Sequence, residues 1–83
     1  MAAKRRTIGV IGLGNFGSTV ATELQRFGNY VIGVDLNEQR VSNHVEKLSQ
    51  AVIVDARDDA ALREAGLGDC SMALVAMGSD LES

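Results

Sequence analysis

Short apolar runs alternate along the chain with segments in which apolar residues recur every three or four positions. Apolar runs rich in β-branched residues predict buried strands, whereas the three-to-four-residue period predicts amphipathic helices. The predicted strands cover residues 7–11, 30–34, 51–54 and 71–76. A helical pattern lies between each strand and the next, so the predicted order is β-α-β-α-β-α-β.

The first predicted helix covers residues 15–27 and ends at Gly28 and Asn29, a pair typical of a left-handed C-terminal cap. The second helix begins at Asn37 or Glu38. The residues expected on the buried faces of these two helices are Phe16, Val20, Leu24, Phe27, Val41, Val45 and Leu48.

The third predicted helix is short. Asp58 or Asp59 caps its N-terminus, because an aspartate carboxylate can accept hydrogen bonds from the free N–H groups of a first turn. The helix runs to Ala65 and stops at Gly66.

Uniformly apolar strands that alternate with helices indicate an α/β fold with a parallel sheet covered on both faces. Right-handed crossovers then predict the strand order 3-2-1-4. We expect one domain over residues 1–83 that is incomplete beyond its fourth strand. The open edge at that strand favours either a truncated domain or self-association.

Three glycines follow the first strand directly, in the segment GLGNFG. Gly12 permits a tight turn, Gly14 leaves room for the backbone to approach a phosphate, and Gly17 lets the first helix pack closely. The helix N-terminus adds unpaired N–H groups and a partial positive charge. The pattern therefore predicts a Rossmann-like phosphate-binding loop made of Gly12, Leu13, Gly14, Asn15, Phe16 and Gly17.

An acidic residue follows the second predicted strand. Asp35 lies 21 residues after Gly14 (35 − 14 = 21), close to the roughly 20 residues expected for an acid that binds a ribose. With Leu36 beside it, its carboxylate would accept hydrogen bonds from both ribose hydroxyls and repel a 2′-phosphate. Arg40 is the nearest cation, and we expect it to lie too far away to reverse that selection. Alternatively, Asp35 caps the second helix or lies in solvent.

Two further loops are predicted to reach the same edge of the sheet, where open parallel sheets bind ligands. Asp55 and Ala56 follow the third strand and are expected to line the adenine side. Gly78 follows the fourth strand and is expected near the phosphates or a second ribose. The alternative assigns Asp55 to the cap of the third helix.

Composition excludes several functional classes. The chain has 83 residues, of which 46% are hydrophobic, and its net charge of −3 argues against nucleic-acid binding. It lacks an apolar run of about 18 residues and a signal-peptide pattern, which predicts a cytoplasmic protein. His44 lies within a helix and Cys70 has no neighbouring base, so we predict a structural role for both, no metal site and no enzymatic activity.

The segments VIGLGNFGSTVATEL, VIGVDLNEQRV and VDARDDAALREAGLGDCSMALVAMGSD resemble the N-terminal domain of regulators of K⁺ conductance, also called the KTN or TrkA-N domain. The resemblance covers nearly the whole chain from Thr7 onward. It implies a cytoplasmic regulatory domain that forms homodimers or larger homo-oligomers. Such a domain binds NAD(H), ATP, ADP or AMP, and acts at the inner face of the membrane on a K⁺ transporter or channel without entering the bilayer.

The residues that match the family pattern are Gly12, Gly14 and Gly17 for phosphate, Asp35 for ribose, Asp55 and Ala56 for adenine, and Gly78 after the fourth strand. Asn15 departs from the basic residue often found at its position. This departure favours NAD, ADP or AMP over ATP. The alternative function is the cofactor-binding half of a NAD-dependent oxidoreductase, although the chain offers no evident catalytic base.

Overall fold

The computed structural model of the protein describes residues 6–76. Its elements follow the predicted order, and the ends of the strands and of the first and third helices differ from the predicted ends by about one residue. They are β1 (Thr7–Ile11), α1 (Asn15–Arg26), β2 (Tyr30–Asp35), α2 (Glu38–His44), β3 (Gln50–Ile53), α3 (Asp59–Glu64), a 3₁₀ turn (Leu67–Asp69) and β4 (Met72–Val75).

The strands form one parallel sheet in the order β3-β2-β1-β4, which confirms the predicted α/β topology. Thr7 of β1 pairs with Tyr30 of β2, and Ile8 pairs with Met72 of β4. On the other side of β2, Asp35 pairs with Ile53 of β3. Within the described part of the chain, β3 and β4 are therefore the two edges of the sheet.

Apolar side chains form one cluster on each face of the sheet, because neighbouring residues of a strand point to opposite faces. Val31 belongs to the cluster that includes residues of α1 and α2, such as Ala21 and Val41. The next residue, Ile32, belongs to the cluster packed against Ala61 of α3. The sheet therefore has α1 and α2 on one face and α3 on the other.

The predicted buried face of α1 is partly wrong. Phe16 and Phe27 are 59% and 77% exposed, whereas the buried residues are Gly17 and Ala21, with Leu24 packed against their cluster. Small residues face inward because α1 lies very close to the loop that precedes it. Because of this contact, the buried stripe of α1 begins one residue later in the sequence than the apolar pattern predicts.

The predicted buried stripe of α2 is also wrong at one position. The helix ends at His44, and the next residue, Val45, is 53% exposed. Leu48 is buried as expected, but it lies in the turns beyond the helix, where its N–H donates to the His44 carbonyl (3.1 Å). The buried positions therefore no longer follow the helical period after His44, which is itself buried.

The ends of the helices confirm several local predictions. Gly28 and Gly66 have φ angles of +99° and +102°, so both adopt the left-handed conformation that favours glycine. Asp58, and not Asp59, caps α3, because its carboxylate accepts a hydrogen bond from the Ala61 N–H at 3.1 Å. Asn37 caps α2 in the same way, through the N–H of Arg40.

Candidate functional site

A cavity of about 340 Å³ lies where β1, β2 and β3 end. Its volume is within the range of small-molecule sites, and the carboxyl ends of parallel strands are the usual place for a ligand in such sheets. The residues that line it are Ile11, Gly12, Gly14, Val34, Asp35, Leu36, Arg40, Val54, Asp55, Ala56, Arg57 and Ala76.

The glycine loop connects β1 to α1 along one side of this cavity. Gly12 has a φ of +105°, and its N–H donates to the Val34 carbonyl at 2.8 Å. A Cβ at Gly17 would overlap the Gly12 carbonyl oxygen and approach the Ala76 Cβ at 3.1 Å. The turn therefore requires glycine at Gly12, and the packing of α1 against the loop requires it at Gly17.

The structure brings only part of the predicted loop to the cavity. Gly12 and Gly14 line it, whereas Asn15 and Phe16 are exposed and do not. The Leu13 side chain is buried in the core, so Leu13 interacts with the site only through its backbone N–H, which donates to Asp35. The hydroxyls of nearby residues on α1 donate to backbone carbonyl groups within the helix.

Asp35 lies at the centre of a hydrogen-bonding network at the end of β2. Its Oδ2 accepts from the Leu13 N–H at 2.7 Å, and its Oδ1 accepts from the Asn37 N–H at 2.8 Å. The side chain is only 10% exposed. The alternatives for Asp35 are therefore wrong: the carboxylate does not lie in solvent, and Asn37 is the residue that caps α2.

Arg40 lies next to this carboxylate. Its Nη1 is 3.6 Å from Asp35 Oδ2, and the residue lines the cavity. The expectation that Arg40 lies too far from Asp35 is therefore wrong. The long side chain reaches back from the first turn of α2 to the end of β2, a distance that sequence spacing did not reveal.

Asp55 and Arg57 form a local ion pair after β3. The Asp55 carboxylate accepts from the Arg57 backbone N–H at 2.9 Å, from Nε at 3.1 Å and from Nη2 at 3.0 Å. The hydrogen bonds from Arg57 lower the pKa of Asp55 from 3.8 to about 2, and they raise the pKa of Arg57. The alternative that Asp55 caps α3 is wrong, because Asp58 does so.

Residues 8–83 match the TrkA-N domain family. The chain belongs to this family. The resemblance seen in the glycine loop and in the segment after β3 is therefore confirmed.

Three curated relatives resemble this TrkA-N domain. It is 34% identical over 80 residues to the Ktr system potassium uptake protein A of Bacillus subtilis, covering 96% of the chain and 36% of that protein. It is 39% identical over 74 residues to protein A of Vibrio alginolyticus, covering 89% and 34%. It is 32% identical over 79 residues to protein C of Bacillus subtilis, covering 95% and 36%. The chain thus spans about a third of these relatives.

His44 and Cys70 do not line the cavity. His44 is buried, and its Nδ1 donates to the Arg40 carbonyl at 2.7 Å, since a carbonyl oxygen can only accept. Burial raises the pKa of the Cys70 thiol, which packs against the α3 side of the sheet. Gly78 lies outside the described residues.

Neither a candidate metal site nor a candidate membrane-spanning helix lies within residues 6–76. No cluster of three or more His, Cys, Asp or Glu side chains there could hold a metal ion. No helix in that range is long and apolar enough to cross a membrane.

Sequence reasoning did not select Arg57 as a site residue. The sequence does contain a signal for it, since an arginine two residues after an aspartate at a strand end can form an ion pair with that carboxylate. Arg40 offered no comparable signal, because its position depends on how α2 leaves β2.

Proposed function

We propose that this TrkA-N domain binds an adenine nucleotide, either NAD(H) or a mononucleotide such as ADP or AMP, and senses it to control K⁺ uptake. The observation that carries the proposal is the placement of Asp35. Its carboxylate lies on the wall of the cavity and is hydrogen-bonded to the glycine loop. One cavity therefore offers a phosphate-binding backbone and a ribose-binding acid.

The phosphates would lie against Gly12 and Gly14 at the N-terminus of α1. Gly14 is the N-cap and has no side chain to bond the free N–H groups, and the first turn contains no acidic residue. Those N–H groups and the positive end of the helix dipole favour an anion. Asn15 adds no positive charge, so NAD, ADP and AMP are better supported than ATP.

The ribose would lie against Asp35. Each carboxylate oxygen accepts one backbone N–H and retains acceptor capacity for a hydroxyl, since a carboxylate has about four acceptor sites. Arg40 offsets part of the charge of this largely buried group. Asp55, Ala56 and Leu36 lie on the neighbouring wall, which suits the adenine.

The relatives' names connect the binding site to K⁺ transport, since all three are potassium uptake proteins of Ktr systems. We propose that this domain acts at the cytoplasmic face of the membrane on a separate K⁺ transporter or channel subunit. Nucleotide binding would favour one arrangement of paired domains over another and thereby change transport. Binding would not be followed by turnover of the nucleotide.

Asp35→Ala tests the ribose assignment. We expect the affinities for NADH, ADP and AMP to fall about 10- to 100-fold, the equivalent of about 1.5–3 kcal/mol for hydrogen bonds to a charged group. Isothermal titration calorimetry measures these affinities. Asp35→Asn is a second variant whose amide oxygen can still accept from the Leu13 N–H, while its NH2 group would face the Asn37 N–H.

Asp69→Ala is the matched control, because it removes an exposed aspartate that does not line the cavity. Its nucleotide affinities should equal those of the wild type. Unchanged affinity in both Asp35 variants would refute the ribose assignment. Absence of binding by the folded wild-type chain would refute the sensing proposal itself.

A further inference from the structure

We propose that Arg57 recognises the base of the bound nucleotide by stacking its guanidinium plane on a purine ring, with Asp55 as the positioning residue that holds the plane. The proposal rests on the proposed function, because it assumes that a nucleotide occupies the cavity. It adds a residue that selects the base to the glycine loop and Asp35, which bind phosphate and ribose.

Hydrogen bonds to Asp55 orient the Arg57 guanidinium. Nε and Nη2 donate to the two carboxylate oxygens of Asp55 at 3.1 and 3.0 Å, an arrangement that defines the plane of the group. The Arg57 backbone N–H donates to the same carboxylate, so the start of the side chain is anchored as well. The side chain nevertheless remains 85% exposed, which leaves the guanidinium accessible to a ligand.

The position of Arg57 suits the base of a nucleotide whose ribose contacts Asp35. β2 and β3 are neighbouring strands, and Asp35 pairs directly with Ile53. The segments after these strands therefore lie side by side, and both line the cavity. Leu36, 61% exposed although it is a large apolar residue, is on the same wall, and Ala56 takes little space. These residues provide an apolar surface and a cationic plane.

The charged ion pair of Asp55 and Arg57 favours stacking on a base over binding to a phosphate. The Asp55 pKa of about 2 means that its carboxylate stays charged at neutral pH and balances the guanidinium. A phosphate would be repelled by the charge of this carboxylate, whichever of the guanidinium N–H groups it approached. An aromatic ring uses the face of the guanidinium and leaves both hydrogen bonds to Asp55 intact.

The same geometry predicts a preference for purines. A purine has two fused rings and covers more of the guanidinium and of Leu36 than the single ring of a pyrimidine. AMP should therefore bind more tightly than UMP, although the two nucleotides carry the same phosphate and ribose groups.

Calorimetric titrations of the wild type and Arg57→Ala with AMP, ADP and UMP test the stacking. We expect Arg57→Ala to weaken AMP and ADP equally, about three- to tenfold, and to reduce the AMP-to-UMP affinity ratio. Arg57→Lys keeps the charge but not the plane, and should reduce the ratio similarly. Arg63→Ala is the matched control, because Arg63 is an exposed arginine of α3 that does not line the cavity.

Asp55→Asn tests the positioning role. We expect it to reduce the AMP-to-UMP ratio in the presence of Arg57 but to cause no further reduction when combined with Arg57→Ala. If Asp55→Asn reduced the AMP-to-UMP ratio by the same factor with and without Arg57, Asp55 would not act through Arg57.

Three results would overturn the stacking proposal. The AMP-to-UMP ratio could be unchanged in Arg57→Ala, the loss could increase from AMP to ADP, or Arg57→Lys could restore full affinity. The second and third would assign Arg57 to a phosphate. In each case, Asp35-dependent binding by the wild type would leave the proposed nucleotide-sensing function standing. If the wild type bound no nucleotide, both proposals would fail.

Discussion

Asp35 joins three parts of the chain through one carboxylate. It ends β2, accepts a hydrogen bond from Leu13 in the glycine loop and accepts another from Asn37 at the start of α2. The residue proposed to bind a ribose is therefore also hydrogen-bonded to the loop proposed to bind the phosphates. Nucleotide contacts at Asp35 would be transmitted directly to the glycine loop and α2.

The ion pair of Asp55 and Arg57 gives a prediction at the scale of single residues. Arg57→Ala should raise the pKa of Asp55 from about 2 part of the way toward 3.8, because it removes the side-chain hydrogen bonds and the positive charge but keeps the backbone N–H of residue 57. A pH titration of the Asp55 side-chain carboxyl carbon by NMR measures this change. Arg63→Ala should leave the Asp55 titration unchanged.

The sign of the pH dependence follows from the direction of this shift. The pKa of Asp55 is lower in the folded state, so the ion pair favours folding above its ordinary pKa of 3.8 and loses that contribution as the pH falls toward 2. The pair is exposed, so solvent screening keeps its effect small. A wild-type Asp55 that titrated near 3.8 would contradict the ion pair and its proposed positioning role.

At the scale of elements, the packing of α1 depends on the glycine loop. Gly17 lies directly against the Gly12 carbonyl, and Ala21 continues the same buried stripe one turn later. The small inward face brings the N-terminus of α1 to the end of β1. The position of this helix terminus beside the cavity is therefore a consequence of packing at Gly17.

Gly17→Ala should separate α1 from the loop. We expect the free energy of unfolding to decrease by about 1–3 kcal/mol, because an added Cβ overlaps backbone that cannot rotate away. Nucleotide affinity should fall as the loop shifts. Urea denaturation and calorimetry measure the two effects.

Gly68→Ala is a matched control for this substitution. A Cβ at Gly68 would meet the Arg63 Cγ at 3.5 Å, an ordinary contact. We expect it to leave stability unchanged or to raise it by up to about 1 kcal/mol. Equal stability changes in the two variants would show that the contact between Gly17 and the loop does not limit the packing of α1.

At the scale of the whole molecule, both edges of the described sheet expose apolar side chains, since Ile53 of β3 is 49% exposed, but one edge exposes more of them. β4 forms that edge, and its Met72 and Val75 are 47% and 71% exposed. An edge strand offers unpaired backbone groups as well, so it can pair with another chain. This edge supports the proposed self-association of the domain.

Val75→Lys should reduce that self-association, because a lysine on an edge strand opposes pairing with a second chain. We expect the wild type to form a dimer or a larger oligomer in analytical ultracentrifugation, and the variant to shift toward the monomer. Phe27→Lys is the control, since it changes an exposed apolar residue outside β4. An equal shift in both variants, or a monomeric wild type, would contradict association through β4.

Local sequence patterns determined the strands, their order and most ends of the helices. Apolar runs, helical periods and glycines such as Gly28 and Gly66 act over a few residues, and right-handed crossovers then restrict the topology to few choices. The same local patterns predicted that Asp35 and Asp55 lie at strand ends. It could also have selected Arg57, which lies two residues from its partner.

Only the tertiary structure decided which side of α1 is buried, where α2 stops following its pattern, and how Asp35 is bonded. Phe16 is exposed because the loop approaches Gly17, a contact that the apolar pattern of the helix does not contain. Leu13 and Arg40 reach Asp35 only once the loop and α2 are folded around the end of β2. These features depend on the distances between elements, which packing sets and which the spacing of residues along the chain does not.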